Sequence, residues 1–311
     1  MNDQPSRPDA ERSPPHLVTF DAIMPAAMAV RAEESGVKRA STDPLTILIL
    51  SVLGGAFVSF GAVFATTVSA GSIAVTTADG AAALSAAMPY GITRLLIGLV
   101  FSVGLILVIV GGAELFTGNT LIVMAWASRK IKTRAVLLNW VIAFTGNFIG
   151  SIGAAALMFL TTQYTFGGGA VGLVALSTAN SKAALAFVPA LTLGIMCNAL
   201  VCLAVWMCYG ARTTIDRVVT IVPPITAFAA AGFEHCVANM YFIPMGLFIK
   251  AGAPDTFWKS IGKTPADFPA LTWENFFVAN LAPVTIGNII GGSLMVGAVY
   301  WFVYLRSKPP A

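Results

Sequence analysis

Six long apolar runs separate the polar parts of this chain, and they constrain its fold more than any other feature. A helix needs about 20 apolar residues to cross roughly 30 Å of hydrocarbon. The runs are long enough; they are Leu45 to Val68, Leu95 to Ala127, Ala135 to Leu160, Leu185 to Tyr209, Val218 to Ile249 and Phe276 to Tyr304. Only 10% of the 311 residues are charged, against about a quarter in soluble domains. The pattern predicts an all-α integral membrane protein with six transmembrane helices.

The residues before the first run are polar and contain no stretch that resembles a signal-peptide core. We therefore predict a cytoplasmic segment 1–44, a six-span domain 45–305 and a cytoplasmic tail 306–311. Within the first segment, Pro25 and Gly36 indicate the start and the end of a short amphipathic helix. It is interpreted either as a lid over a pore or as a plain surface anchor, and both readings stay open.

Lysine and arginine predict the orientation, because they are enriched in the cytoplasmic loops of membrane proteins. With the N-terminus inside, 13 of the 18 basic residues lie on the inner side. The outer side then holds Arg94, Lys182, Lys250, Lys259 and Lys263. Both termini are expected in the cytoplasm.

The second and fifth runs are longer than a membrane requires, and glycine and an ionisable residue interrupt each of them. The interruptions read GGAELFTGN from Gly111 and AGFEHCVAN from Ala231. A second similarity follows, between TGNFIGS from Thr145 and IGNIIGGS from Ile286. These matches predict two repeats, about 45–160 and 185–305, each with one broken helix. Three spans per repeat force the second copy to be inverted, and such repeats place a substrate site at the midplane. The alternative is a pair of glycine kinks that serve only packing.

Glu114, Glu234 and His235 are the ionisable residues deep in these runs, where an unpaired charge costs several kcal/mol. We expect both glutamates to brace the breaks by accepting backbone N–H groups that have lost their helical partners. His235 can change its charge near neutral pH and can donate a hydrogen bond to an anion. It is predicted to line a pore, with a role in core packing as the alternative. Thr117, on the other break, supplies a hydroxyl that could face it.

At these residues the sequence resembles the formate/nitrite transporter family, and within it the bacterial formate channels. The resemblance covers about residues 20–306. It is carried by FSVGLIL from Phe101, AELFT from Ala113, VCLAVWM from Val201, GFEH from Gly232, ANM from Ala238 and PVTIGNIIGG from Pro283.

The resemblance implies an aquaporin-like homopentamer in the bacterial inner membrane, with one pore in each protomer. It assigns Leu105 and Leu115 to an inner constriction with Phe101 close by, and Phe228 to an outer one. It places Thr117, His235 and Asn198 in a polar centre, Asn288 beside the pore and Lys182 in the outer vestibule. The implied partners are formate or a similar small anion, protons and the lipid bilayer, with no cofactor, metal or nucleic acid.

Three alternatives remain beside a formate channel. Nitrite and hydrosulfide resemble formate in charge and size. A membrane-embedded enzyme that uses His235 and the glutamates is weakened because the sequence has no nucleotide fingerprint or nucleophile motif. An aquaporin is weakened because no Asn-Pro-Ala pair stands at the breaks. Passive and proton-coupled transport both stay open.

Overall fold

The computed structural model describes residues 22–76 and 82–306. In chain order the elements are α1 (Pro25–Ser41), α2 (Pro44–Ser69), β1 (Ser72–Thr76), β2 (Ala82–Ala87), α3 (Tyr90–Gly111), α4 (Phe116–Ala127), α5 (Thr133–Leu160), α6 (Ala170–Ala183), α7 (Phe187–Gly210), α8 (Thr214–Ala231), α9 (Cys236–Gly252), α10 (Asp255–Ile261) and α11 (Trp273–Tyr304). The predicted ends 1–21 and 307–311, which include Arg7, Arg12 and Lys308, lie outside the described residues.

Six of these helices are long and apolar enough to cross a membrane, namely α2, α3, α5, α7, α8 and α11. Each falls within or overlaps one of the predicted runs, so the six-span prediction is confirmed. Outside the spans, β1 and β2 pair as a short antiparallel hairpin between α2 and α3, which the apolar pattern did not predict.

The two predicted broken helices are also confirmed. α3 and α8 both end at a glycine in the left-handed conformation, Gly112 with φ 76° and Gly232 with φ 79°. A side chain disfavours this conformation, and glycine adopts it at little cost. The chain is then extended up to Leu115 and His235, where α4 and α9 begin. The two halves of the molecule are therefore interrupted in the same way.

The core lies where the two repeats meet, with α3 packed directly against α8. A Cβ added to Gly98 of α3 would lie 2.4 Å from the carbonyl oxygen of Thr226 in α8. Only glycine permits this approach, which sets the end of α8 beside the first turns of α3, where Arg94 meets the carbonyls of Ala229 and Ala230.

The prediction that the N-terminal helix stops at Gly36 is wrong, because α1 continues to Ser41. Gly36 is a contact residue instead, and a Cβ there would lie 2.9 Å from that of Ala125. The buried side of α1 packs on protein through Met28, Ala29 and Ala32 against Met124, Trp206 and Leu305. We call this end of the molecule the α1 face.

The opposite end carries α6 and α10, and we call it the α6 face. Tyr164 stacks on Phe159 near the end of α5 and meets Phe257 of α10 edge to face. α6 was not predicted from the sequence, because its composition is too mixed to stand out beside the membrane runs. This helix carries Lys182 in its last turn.

Candidate functional site: a polar centre between the two breaks

His235 is the N-cap residue of α9, and its side chain is almost fully buried. Its Nδ1 accepts a hydrogen bond from the backbone N–H of Ala238, at 3.1 Å. A neutral imidazole that accepts at Nδ1 carries its proton on Nε2. The broken helix therefore both positions the ring and selects the tautomer that offers Nε2–H as a donor.

Thr117 stands in the first turn of α4, and its hydroxyl meets this donor. The distance from Oγ1 of Thr117 to Nε2 of His235 is 3.0 Å, and the threonine is fully buried. Because Nε2 carries the proton, the imidazole donates and the hydroxyl oxygen accepts. This bond joins the break of one repeat directly to the break of the other.

Apolar side chains surround one side of the ring and enclose a cavity of about 10 Å³. Its wall is formed by Val58, Phe101, Leu105, Leu115, Val201, Ile225, Phe228 and His235. The volume is about that of one water-sized probe. The space beside the ring therefore has room for about one water, and His235 supplies the polar side chain in its wall.

A second cavity of about 100 Å³ lies toward the α6 face. Phe101, Phe228 and His235 line both cavities. The rings of Phe101 and Phe228 meet edge to face with centroids 5.5 Å apart, and Phe228 lies 6.0 Å from His235. The two aromatic side chains thus separate the larger cavity from the smaller one. Lys182 and Arg94 also line the larger cavity.

Two asparagines, rather than the glutamates, bond to the backbone N–H groups freed at the breaks. Asn147 Oδ1 accepts from the N–H of Phe116 at 2.8 Å, and Asn288 Oδ1 accepts from the N–H of Cys236 at 2.9 Å. Our expectation that the carboxylates of Glu114 and Glu234 make these bonds is therefore corrected. An amide suits the position better than a carboxylate. Its oxygen accepts a hydrogen bond and its NH2 group donates hydrogen bonds, whereas a carboxylate can only accept.

The glutamate carboxylates instead pair with cations from distant parts of the chain. Glu234 lies 2.7 Å from the ammonium of Lys182 and also accepts from the side-chain amides of Asn239 and Asn280. Glu114 lies 3.4 Å from the guanidinium of Arg39 at the end of α1. Each pairing keeps a buried carboxylate from standing alone, which would cost several kcal/mol.

Asn198 is fully buried beside the polar centre. Its amide donates to the carbonyl oxygens of Thr117, at 3.2 Å, and Asn288, at 2.6 Å. It therefore ties α4 to α11. Among the predicted polar residues, His235 borders the two cavities, whereas Thr117, Asn198 and Asn288 are fully buried around it.

Three residues of this site were not predicted from the sequence. Asn147 stands in the repeated motif that we identified, but its amide bonds could not be read from that motif. Arg39 and Arg94 lie 75 and 136 residues from their partners Glu114 and Ala230. No local sequence pattern indicates a contact between residues so far apart in the chain. The repeat that aligns Glu114 with Glu234 was the one available indication that both carboxylates need a cation.

Comparisons with known proteins identify relatives of this chain. A family model described as formate/nitrite transporter matches residues 26–302. The formate channel FocA of Escherichia coli (strain K12) is 44% identical over 93% of this chain and 97% of its own length. The formate channel FocA of Haemophilus influenzae is 37% identical over 89% of this chain and 93% of its own length.

Two solved structures are similar over most of their length. One is described as a pentameric formate channel with formate bound; its TM-score is 0.76 at 42% identity, covering 85% of this chain and 98% of that one. The other, an FNT family ion channel, has a TM-score of 0.71 at 26% identity and covers 91% and 99%. With the six spans, the two breaks and the buried histidine already described, these matches show that the chain belongs to the formate/nitrite transporter family.

Proposed function

We propose that this protein is a membrane channel for small monovalent anions and that formate is its substrate. The observation that carries the proposal is the hydrogen bond between His235 and Thr117, a polar pair beside an apolar cavity that lies between two helix breaks. Non-helical backbone at this depth is tolerated only where it is buried in protein or lines a water-filled path. The relatives named formate channels support the choice of anion.

The fixed tautomer of His235 defines what the ring offers to an anion. Its Nε2–H is a donor that a carboxylate oxygen can accept in place of the Thr117 hydroxyl. Its Nδ1 is already occupied by the N–H of Ala238. The ring therefore binds the anion as a neutral donor, and a protonated ring would have to give up its bond to the start of α9.

The apolar residues on both sides of the ring favour a weak acid. Carrying a bare charge between Leu105 and Leu115, or past Phe101 and Phe228, costs several kcal/mol, because the ion loses its water inside the protein. A formate ion held at His235 can take up a proton that arrives through the larger cavity and cross the narrow part as the neutral acid. Transport is then coupled to the movement of a proton.

We assign the two ends of the molecule to the two sides of the membrane by charge. The α1 face carries Arg129, Lys130, Lys132 and Arg134, and cytoplasmic loops are enriched in such residues. We therefore assign this face to the cytoplasmic side of a bacterial inner membrane. Leu105 and Leu115 then form the inner constriction with Phe101 beside them, Phe228 forms the outer one and also contacts Phe101, and Lys182 lies in the outer vestibule.

We also propose a homopentamer with one pore per protomer. It is supported by the solved relative described as pentameric, and by the apolar surface of α5, where Leu137 and Val141 are more than half exposed. Such a surface contacts lipid or another protomer. Native mass spectrometry from mild detergent should show a five-chain species, and a stable dimer or tetramer would contradict the proposal.

A flux assay tests the function itself. Purified protein in liposomes, with no added cofactor, should carry formate, and the initial rates for nitrite, hydrosulfide and lactate should be compared at two pH values. Flux without a cofactor separates a channel from a membrane-embedded enzyme. A rate for nitrite or hydrosulfide well above that for formate would move the assignment to that anion within the same family.

A further inference from the structure

We propose that Arg94, rather than Lys182, supplies the net positive charge that concentrates small anions in the cavity on the α6 face. The inference rests on the proposed function, because it concerns how an anion reaches His235. It differs from the expectation from family resemblance, in which Lys182 of the outer vestibule attracts the anion.

Arg94 is held at the cavity by the broken end of α8. Its Nε donates to the carbonyl oxygen of Ala230 at 2.8 Å, and its Nη2 donates to that of Ala229 at 2.7 Å. α8 ends at Ala231, so both carbonyls lie in its last turn, where helix carbonyls lack the usual intrahelical partner; that of Ala229 also accepts the N–H of the C-cap Gly232, at 3.2 Å. The C-terminus of a helix also carries partial negative charge, which favours a cation at this position.

The charge of Lys182 is cancelled where it stands. Its ammonium lies 2.7 Å from Oε1 of Glu234, so the pair contributes no net charge to the cavity. Lys182 also stands over the ring of Phe242, at 5.6 Å from its centroid. This lysine is therefore committed to contacts within the protein.

The charge of Arg94 has no such partner in the part of the chain that the structure describes. Both of its hydrogen-bond acceptors are neutral carbonyls, and none of the ion pairs there includes it. The described residues that line the cavity include no aspartate or glutamate. A guanidinium stays protonated and has five N–H donors, two of which are used here. Arg94 therefore leaves the cavity with a net positive charge and with donors for an anion.

This placement has a measurable consequence. A positive charge in a cleft with low-dielectric walls raises the local concentration of anions and their rate of entry. Dissolved salt screens that effect within a Debye length, about 30 Å at 0.01 M and about 3 Å at 1 M. The contribution of Arg94 to the rate of anion entry should therefore be large in dilute buffer and small in concentrated salt. If Arg94 only stabilised the structure, its effect on that rate should not depend on salt in this way.

The test is formate flux into proteoliposomes at several ionic strengths, for the wild type, Arg94→Gln, Arg94→Lys and Lys259→Gln. Lys259 lies exposed in α10 on the same face, outside the cavity lining, and its loss is the matched control for surface charge. We expect Arg94→Gln to raise the half-saturating formate concentration about tenfold in dilute buffer, within the range of electrostatic steering. The difference should nearly vanish at high salt, Arg94→Lys should keep most of the wild-type affinity, and Lys259→Gln should match the wild type.

Two results would overturn the inference. One is an Arg94→Gln variant whose flux depends on salt as the wild type does. The other is an equal loss of formate affinity in Arg94→Lys and Arg94→Gln at every salt concentration, which would make Arg94 only a cap for α8.

If the wild type carries another of the tested anions instead of formate, the same comparison is made with that anion. A wild type that carries none of them would instead refute the proposed function, and this inference with it.

Discussion

Asn147 and Asn288 make the same three kinds of bond in the two halves of the molecule. The amide of Asn147 donates to the carbonyls of Ser51 and Glu114, at 2.7 and 2.9 Å. The amide of Asn288 donates to those of Gly194 and Glu234, at 2.8 and 3.0 Å. The side-chain oxygen Oδ1 of each asparagine accepts the first N–H of the helix that follows the break. One buried side chain thus holds each broken helix against its neighbouring span.

Replacing either asparagine by alanine should destabilise the fold strongly. Each change removes three hydrogen bonds and leaves one N–H and one carbonyl of the break without their side-chain partner, at about 1–3 kcal/mol for each group. Asn147→Ala and Asn288→Ala should therefore lower the melting temperature in detergent by several degrees or prevent assembly. The control is Asn275→Ala near the start of α11, which removes a part-buried bond to the carbonyl of Ala270 and should cost much less. Equal melting temperatures for all three variants would show that the breaks are held by other contacts.

The repeat in the sequence predicted where the helices break, because glycine and an embedded glutamate at matching positions are a local signal. It did not predict what holds the breaks. Whether the carboxylate or a distant asparagine accepts the freed N–H depends on how the spans of a repeat pack against one another. The spacing of residues within one motif does not determine that packing. Gly36 illustrates the same limit, since a glycine at a close helix contact and a glycine at a helix end look alike in sequence.

Leu105 and Leu115 are predicted to form the barrier on the α1 side of His235. Shortening either to alanine should raise the leak of anions, because a narrow apolar ring blocks ions by excluding water. Single-channel recording or liposome flux would measure the change. Leu157→Ala, on an exposed part of α5, is the matched control and should conduct like the wild type. Unchanged conduction in both pore variants would mean that the path does not run between these leucines.

The orientation predicts which thiols a membrane-impermeant reagent can reach. A cysteine at Lys259 should react from the outside of intact cells, and a cysteine at Lys132 should react only after the membrane is opened. Of the native cysteines, Cys197, Cys202 and Cys236 are buried and Cys208 is partly buried, so background labelling should be low. The reverse pattern of labelling would refute the placement of the α1 face in the cytoplasm.

The substitution His235→Asn tests whether the side chain at this position acts through its hydrogen bonds or through a change of its charge with pH. Asparagine is a good N-cap and can replace the bond to the N–H of Ala238, so the variant should fold. It cannot change its charge, because an amide does not titrate near neutral pH. We expect an open pore that prefers a weak acid over a permanently charged anion less than the wild type does, with an altered dependence of flux on pH. A wild-type pH profile and anion preference in this variant would show that His235 neither selects the weak acid nor takes part in its protonation.

The most direct test of the account is the initial rate of formate entry into cofactor-free liposomes for the wild type and His235→Phe. Phenylalanine removes the Nε2–H donor that meets Thr117 and adds bulk where the cavity has room for about one water. A size-exclusion profile like that of the wild type would establish that the variant is assembled. We predict rapid entry for the wild type and a rate close to that of empty liposomes for assembled His235→Phe. Formate entry at the wild-type rate through the variant would contradict the claim that the pore passes His235.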